Sequence, residues 1–205
     1  MGNSWGESRM QRISVVLFDQ FTILDAFGPI NVFAMLKDRY AIELFSLRGG
    51  IVRTQPGLHF ATRPFDEVES TDLLLVPGGF GTRGLVGDEE FLAELRSLID
   101  CSTFVLSVCT GSALLAKAGA LTGRKATSNK LAFDWAASQD PSVEWVRRAR
   151  WVADGKFYTS SGVSAGIDMA LGFVGDQLGL ETARKLATAM EYPWTENAQD
   201  DPFAE

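Results

Sequence analysis

The chain has 205 residues, a formal net charge of −7 and 46% hydrophobic residues. This length and composition are typical of one globular domain that buries its own core, and they exclude a disordered chain. The acidic balance excludes nucleic acid as the main partner, because binding to phosphates requires clustered Lys and Arg. The single histidine, His59, excludes a metal site with two imidazole ligands and any zinc finger.

No stretch approaches the roughly 18 consecutive apolar residues of a membrane span, so no membrane partner is expected. Residues 1–12 are polar and lack the apolar segment of a secretory signal, and we interpret them as a flexible leader. Two cysteines in a chain of this length do not form a disulfide framework. We therefore expect a cytoplasmic protein with reduced thiols and a single domain over residues 13–205.

Short apolar runs alternate with stretches of helical periodicity along the chain. The predicted strands are residues 13–18, 41–47, 72–76, 103–108, 125–127, 148–152 and 156–160, with a weak β excursion at 51–61 broken by Pro56 and Gly57. The predicted helices are residues 24–36, 88–99, 112–118, 130–137, 164–178 and 181–190. Buried strands that alternate with helices predict an α/β three-layer sandwich around a mostly parallel central sheet. The tail from Tyr192 is predicted to be extended, with its acidic residues solvated.

The most informative segment is residues 104–115, where a buried strand runs into Cys109 and then into a small-residue turn and a helix. This is the layout of a nucleophile elbow. A helix N-terminus favours the thiolate, and ligands of open α/β sheets bind at the carboxyl ends of strands. The alternative is a structural cysteine that packs as a small hydrophobic residue. Cys101 precedes its strand, at the other end of the sheet, and is interpreted as inert.

Five segments of the sequence resemble the ThiJ/PfpI superfamily, whose fold is flavodoxin-like and glutamine-amidotransferase-like. They are residues 24–29 (LDAFGP), 74–79 (LLVPGG), 108–112 (VCTGS), 118–127 (AGALTGRKAT) and 161–168 (SGVSAGID). An Asp in the first segment and Cys-Thr-Gly at the elbow are most similar to the isocyanide hydratases. The same features occur in the ligand-binding halves of related AraC-type regulators.

The resemblance implies a role for each of five residues. Cys109 would be the nucleophile, and Asp25 would be its acid–base partner, with a pKa raised by burial and by a like-charged neighbour. The backbone N–H groups of Gly79 and Thr110 would stabilise negative charge on the substrate. Asn129 occupies the position of a His in many relatives and cannot exchange a proton near neutral pH. From its position alone, Asp25 could equally be a helix N-cap.

The function implied by the resemblance is hydration of an isocyanide to an N-substituted formamide. Cys109 would attack the isocyanide carbon, and protonation of nitrogen by Asp25 would give a thioimidate that water hydrolyses. No metal, nucleotide or organic cofactor is implied, and the expected partners are a small-molecule substrate and a second copy of the chain in a homodimer. His59, in the β excursion, is interpreted as a surface or half-buried residue outside the site.

Two other functions remain open at this point. The first is a small-molecule or redox sensor without enzymatic activity, which the lack of a recognisable helix-turn-helix module in the sequence disfavours. The second is glyoxalase-like or deglycase activity on small aldehydes. The replacement of the family His by Asn129 disfavours that activity, because it removes a Cys–His pair.

Overall fold

The computed structural model describes residues 9–54 and 57–204. Its strands are β1 (Gln11–Val16), β2 (Tyr40–Ser46), β3 (Arg48–Thr54), β4 (Leu58–Pro64), β5 (Leu73–Val76), β6 (Phe104–Val108), β7 (Lys125–Ala126), β8 (Glu144–Trp145), β9 (Trp151–Asp154) and β10 (Phe157–Ser160). Its helices are α1 (Ile23–Ala34), α2 (Thr82–Leu85), α3 (Glu89–Cys101), α4 (Gly111–Lys117), α5 (Phe133–Ala137), α6 (Ala165–Leu178) and α7 (Leu180–Ala189). One 3₁₀ turn covers Phe65–Glu67.

Eight strands form the central sheet, in the order β3-β4-β2-β1-β5-β6-β10-β9. The neighbours from β4 to β10 in this order pair in parallel, and only the edge pairs β3–β4 and β9–β10 are antiparallel. Helices lie on both sides of the sheet. The predicted three-layer α/β sandwich is therefore confirmed.

The apolar content of the inner strands explains their central place in the sheet. Every residue of β5 is buried, as are the last four residues of β6. A strand with both faces covered by helices must be apolar throughout, which is the pattern seen in the sequence. The carboxyl ends of β1, β5, β6 and β10 consequently meet along one edge, where Asp25 and Cys109 follow their strands.

Several boundaries differ from the sequence predictions. β1 starts at Gln11, two residues early, because the N–H of Arg12 donates to the Asp72 carboxylate at 2.8 Å. Residues 1–8 of the predicted leader and Pro56 of the predicted turn lie outside the described residues. The predicted strand at 125–127 does not join the main sheet, because β7 pairs with the short and unpredicted β8.

A buried ionic network contradicts the prediction of a solvated tail at Asp201, whereas Glu196 and Asp200 are exposed as predicted. Arg150 donates from Nε to Asp168 at 2.9 Å and from Nη1 to Asp201 at 3.4 Å. Lys130 lies 3.7 Å from the second oxygen of Asp201. The Asp201 side chain is fully buried, and the Thr195 N–H donates to Asp168 at 3.0 Å. Asp201 of the tail is thus held against the domain by Arg150, directly before β9, and by Lys130, before α5.

None of the helices in the described part of the chain is long and apolar enough to cross a membrane. This finding comes from helix length and hydropathy alone.

We expect Arg150→Met to lower the free energy of unfolding by about 3–5 kcal/mol, because it leaves Asp168 buried without its cation and Asp201 with Lys130 alone. Arg148→Met is the matched control. Arg148 pairs with Asp200 at the surface, and its removal should cost about 0–1 kcal/mol. Urea unfolding followed by tryptophan fluorescence measures both. Equal effects of the two substitutions would contradict a structural role for the buried network.

Candidate active site

Cys109 lies at the turn between β6 and α4, in a backbone conformation that is unusual for a residue with a side chain. Its φ is +58°, in the left-handed region, and its N–H donates to the carbonyls of Ser160 (3.2 Å) and Ser161 (3.1 Å). Its carbonyl accepts from the hydroxyls of Ser112 and Ser128. These contacts hold the residue in a strained conformation, which is the geometry of a nucleophile elbow. The side chain is almost fully buried, with the residue 6% exposed.

Two glycines, Gly78 and Gly111, allow the turn after β5 and the elbow after β6 to approach each other closely. A Cβ on Gly111 would overlap the carbonyl oxygen of Val76. A Cβ on Gly78 would stand 2.5 Å from the Thr110 nitrogen and 3.0 Å from an Asp25 oxygen. Real Cβ atoms do not occupy such positions without displacement of the backbone, so both sites require glycine.

Asp25 is brought to the same place by the first turn of α1. The N-cap of that helix is Thr22 and not Asp25, so the alternative interpretation of Asp25 as the cap is wrong. Asp25 is fully buried, and its Oδ2 accepts a hydrogen bond from the Gly78 N–H at 3.0 Å. Its Oδ1 is buried without a hydrogen-bond partner of regular geometry among the described residues. One carboxylate oxygen is therefore fixed by the backbone, and the other is free for proton exchange.

Burial controls the protonation of this pair. It raises the pKa of Asp25 from 3.8 to about 7, although the Gly78 N–H and the Cys109 thiol act to lower it. Burial, followed by the negative charge of Asp25, raises the pKa of the Cys109 thiol from 9.0 to about 12. The backbone N–H groups of Thr110 and Val163 partly oppose that rise. Each group acts on the pKa of the other, so the two side chains lie within interaction range.

Coupled groups titrate as a pair. Asp25 loses its proton near pH 7 and the Cys109 thiol only in strongly alkaline solution, so above about pH 7 the pair holds one proton, on the sulfur. The form with the proton on the carboxyl group leaves a thiolate. The thiol pKa is raised and not lowered as its place before a helix predicts, because burial outweighs the effect of the Thr110 N–H at the start of α4.

The two predicted oxyanion donors lie beside the pair, but both N–H groups already have partners. The Gly79 N–H donates to the Thr110 hydroxyl at 3.0 Å. The Thr110 N–H interacts with the Cys109 sulfur. The Thr110 hydroxyl also lies 3.2 Å from the Thr82 hydroxyl. A developing negative charge on the substrate would have to compete with these contacts.

Asn129 lies against Gly162, in the loop after β10. A Cβ on Gly162 would overlap its Nδ2, and its Oδ1 accepts from the Ala132 N–H at 3.1 Å. An open pocket of about 580 Å³ starts here, lined by Asn129, Ser161, Val163 and the tail residue Phe203 among others. Val163, which lines this space, has an N–H that interacts with the Cys109 sulfur.

The remaining sequence candidates lie elsewhere. His59 is exposed on β4, opposite Arg53 of β3, which agrees with its interpretation as a surface residue outside the site. Cys101 ends α3 and is exposed. In the described part of the chain, no three His, Cys, Asp or Glu side chains form a group able to hold a metal ion.

Arg83, in α2, was missed by the sequence reasoning. Its guanidinium lies over the Trp135 ring at 3.3 Å from the ring centroid. Burial lowers the pKa of Arg83, and the charge of Cys109 partly opposes that fall. The available signal was a cation four residues after Gly79, where the polypeptide leaves the glycine turn. The stacking partner comes from α5, more than fifty residues later, and no local pattern indicates it.

We expect the stability of the folded chain to fall as the pH rises from about 4 to about 7. The unfolded chain releases the Asp25 proton near 3.8, and the folded chain holds it until about 7, so ionisation disfavours folding by up to roughly 4 kcal/mol. Asp25→Asn should remove this part of the pH dependence, whereas Asp38→Asn, at an exposed position, should retain it. Unfolding measured in urea at several pH values gives the difference curve. If the difference in unfolding free energy between the wild-type protein and Asp25→Asn did not change with pH over this range, the raised pKa of Asp25 would be contradicted.

Comparison with known proteins identifies relatives of this chain. A sequence profile of the DJ-1/PfpI family matches residues 11–175. The isonitrile hydratase of Pseudomonas putida is 34% identical over 183 residues, which are 88% of this chain and 78% of that protein. The HTH-type transcriptional regulator GbdR of Pseudomonas aeruginosa is 29% identical over 93% of this chain, but the match covers only 53% of the regulator.

A solved structure agrees with the sequence matches. The crystal structure of a THiJ/PfpI family protein from Pseudomonas syringae superposes with a TM-score of 0.80 at 29% identity, over 95% of this chain and 78% of that one. The resemblance predicted from the five sequence segments is confirmed by the matched profile and by this fold. The chain belongs to the DJ-1/PfpI family.

Proposed function

We propose that this protein hydrates isocyanides to N-substituted formamides, with Cys109 as nucleophile and Asp25 as the only proton carrier. The observation that carries the proposal is the buried pair itself, which holds one exchangeable proton near neutral pH beside a strained cysteine. The similarity to an isonitrile hydratase over most of both chains supports the choice of substrate.

The first step uses the form of the pair in which Asp25 is protonated. The Cys109 thiolate forms a bond to the terminal isocyanide carbon, the displaced π pair of the triple bond moves to nitrogen as its lone pair, and the carbon keeps the lone pair that it already carries. The proton of Asp25 must therefore go to carbon. The scheme expected from the sequence, in which Asp25 protonates nitrogen, is corrected on this point. The product is a thioimidate, S–CH=N–R, next to an ionised Asp25.

The second step uses the ionised carboxylate as a base. It takes a proton from water as the water oxygen attacks the thioimidate carbon, and it passes that proton to nitrogen. It then takes the hydroxyl proton while the carbon–sulfur bond breaks and the thiolate leaves. The product is the formamide O=CH–NH–R, and the pair returns to its starting state.

A carboxyl group with a pKa near 7 suits both tasks. General acid–base catalysis is most effective when the pKa of the group is close to the working pH. An aspartate with an ordinary pKa would be ionised before it could donate the first proton. Asn129 cannot replace it, because an amide does not exchange a proton near neutrality.

The test follows formamide production from cyclohexyl isocyanide by the formyl proton signal in NMR. We expect Cys109→Ala to abolish turnover and Asp25→Asn to reduce kcat by about 10²–10⁴-fold, the usual contribution of a positioned acid–base group. Cys101→Ser, at the exposed end of α3, should retain full activity.

A parallel incubation with methylglyoxal addresses aldehyde chemistry. Lactate from methylglyoxal, without formamide from the isocyanide, would overturn the proposal in favour of a glyoxalase-like function. Formamide production that survives Cys109→Ala would exclude the cysteine as nucleophile.

A further inference from the structure

Arg83 is a cation held rigidly at the edge of the candidate site. It belongs to α2, which starts directly after the Gly79 turn. The Cζ atom of its guanidinium lies 3.3 Å from the centroid of the Trp135 ring, within stacking distance. Stacking on an indole fixes the plane of a guanidinium and leaves its N–H donors at the rim of that plane.

Contacts of the neighbouring residue connect Arg83 to the nucleophile. The Thr82 hydroxyl donates to the Gly79 carbonyl at 2.7 Å and lies 3.2 Å from the hydroxyl of Thr110, which follows Cys109. Burial lowers the pKa of Arg83, and the negative charge of Cys109 raises it. The guanidinium is therefore close enough to the sulfur for their charges to interact, and it remains exposed to solvent.

The donors of Arg83 have no acceptor in the part of the chain that the structure describes. Arg147 stacks in a similar way on Phe133 of α5, the helix that also carries Trp135. It differs from Arg83 because it is paired with Asp134. Arg83 has the aromatic stack without an acidic partner. In a protein of net charge −7, an unpaired, immobilised cation beside a reactive thiol is a site for a negative group.

The geometry of a single planar guanidinium favours a carboxylate over a phosphate. Two parallel N–H donors match the two oxygens of a carboxylate. Phosphate sites usually add several backbone N–H donors, and those of Gly79 and Thr110 already have partners.

We propose that Arg83 binds the carboxylate of the substrate, and that the natural substrates are small isocyanides carrying a carboxylate near the isocyanide group. This inference rests on the proposed hydratase function, which supplies the isocyanide as the reacting group of the substrate. The position of Arg83 is the reason for expecting a carboxylate on the same molecule. The pair formed by Asp25 and Cys109 carries one negative charge above about pH 7, so without Arg83 such a substrate would be repelled.

The first experiment compares isocyanoacetate with its neutral methyl ester. We expect the wild-type protein to have a higher kcat/KM for the anion, and Arg83→Met to lower the ratio of the two kcat/KM values by roughly 10-fold, the worth of a hydrogen-bonded charge pair at a partly exposed site. Arg83→Lys should retain part of the preference. Arg39→Met is the control. Arg39 is exposed and precedes β2, so it lies at the amino ends of the strands, away from the site at their carboxyl ends.

The second experiment does not depend on hydratase activity. Iodoacetate and iodoacetamide both alkylate the Cys109 sulfur, which forms a bond to the CH₂ carbon while iodide leaves with the bonding pair. Since both reagents meet the same thiolate, the ratio of their rates reports the attraction of the anion. We expect Arg83→Met to lower the iodoacetate-to-iodoacetamide ratio roughly 3- to 10-fold, with Cys109 modification followed by peptide mass spectrometry.

The two experiments separate the inference from the proposed function. If neither isocyanide is hydrated but the alkylation ratio falls in Arg83→Met, the hydratase proposal fails and the anion site stands. If the alkylation ratio is the same in the wild-type protein and in Arg83→Met, the anion site is overturned, whatever the hydratase assay shows.

Discussion

The burial of Asp25 and Cys109 side by side is the constraint on which the rest of the site depends. Each group alone would be costly to bury in its charged form, because desolvation disfavours the ion. Held together, they carry one charge between them, and the Gly78 N–H fixes one carboxylate oxygen. The fold must therefore place the start of α1 against the end of β6, and the close contact at Gly78 is the consequence.

The central sheet supplies the stability that this arrangement requires. Cys109 has a positive φ, which costs about 1–3 kcal/mol in a residue other than glycine. It is held by hydrogen bonds to the carbonyls that follow β10, the parallel neighbour of β6. On the far side of β10, Arg150 and its two buried aspartates fix the same loop and the tail. The strained turn at Cys109 thus has the fully apolar strand β5 on one side. On its other side lies the buried network of Arg150, Asp168 and Asp201.

The sequence was most informative where a short-range pattern has one structural meaning. Apolar strands such as 72–76 and the strand-to-turn segment ending at Cys109 predicted the parallel sheet and the elbow, because burial on both faces and a sharp turn restrict residue types locally. It was least informative where the partner lies far along the chain. The burial of Asp201 depends on Arg150, and the place of Arg83 depends on Trp135, and neither contact leaves a local periodicity.

The site separates two physical tasks between an inner and an outer set of groups. The inner pair is buried, and burial is the main cause of its raised pKa values; in the proposed reaction it determines which bond is made and where protons go. Arg83 is exposed and stacked, so its charge is always present and acts on whatever approaches. A substitution of Arg83 is expected to alter which molecules reach the sulfur without altering the protonation of Asp25 and Cys109. Relatives with the same elbow can therefore differ in ligand while they keep the same reactive centre, because the two tasks reside in different elements, α1 with β6 for the first and α2 with α5 for the second.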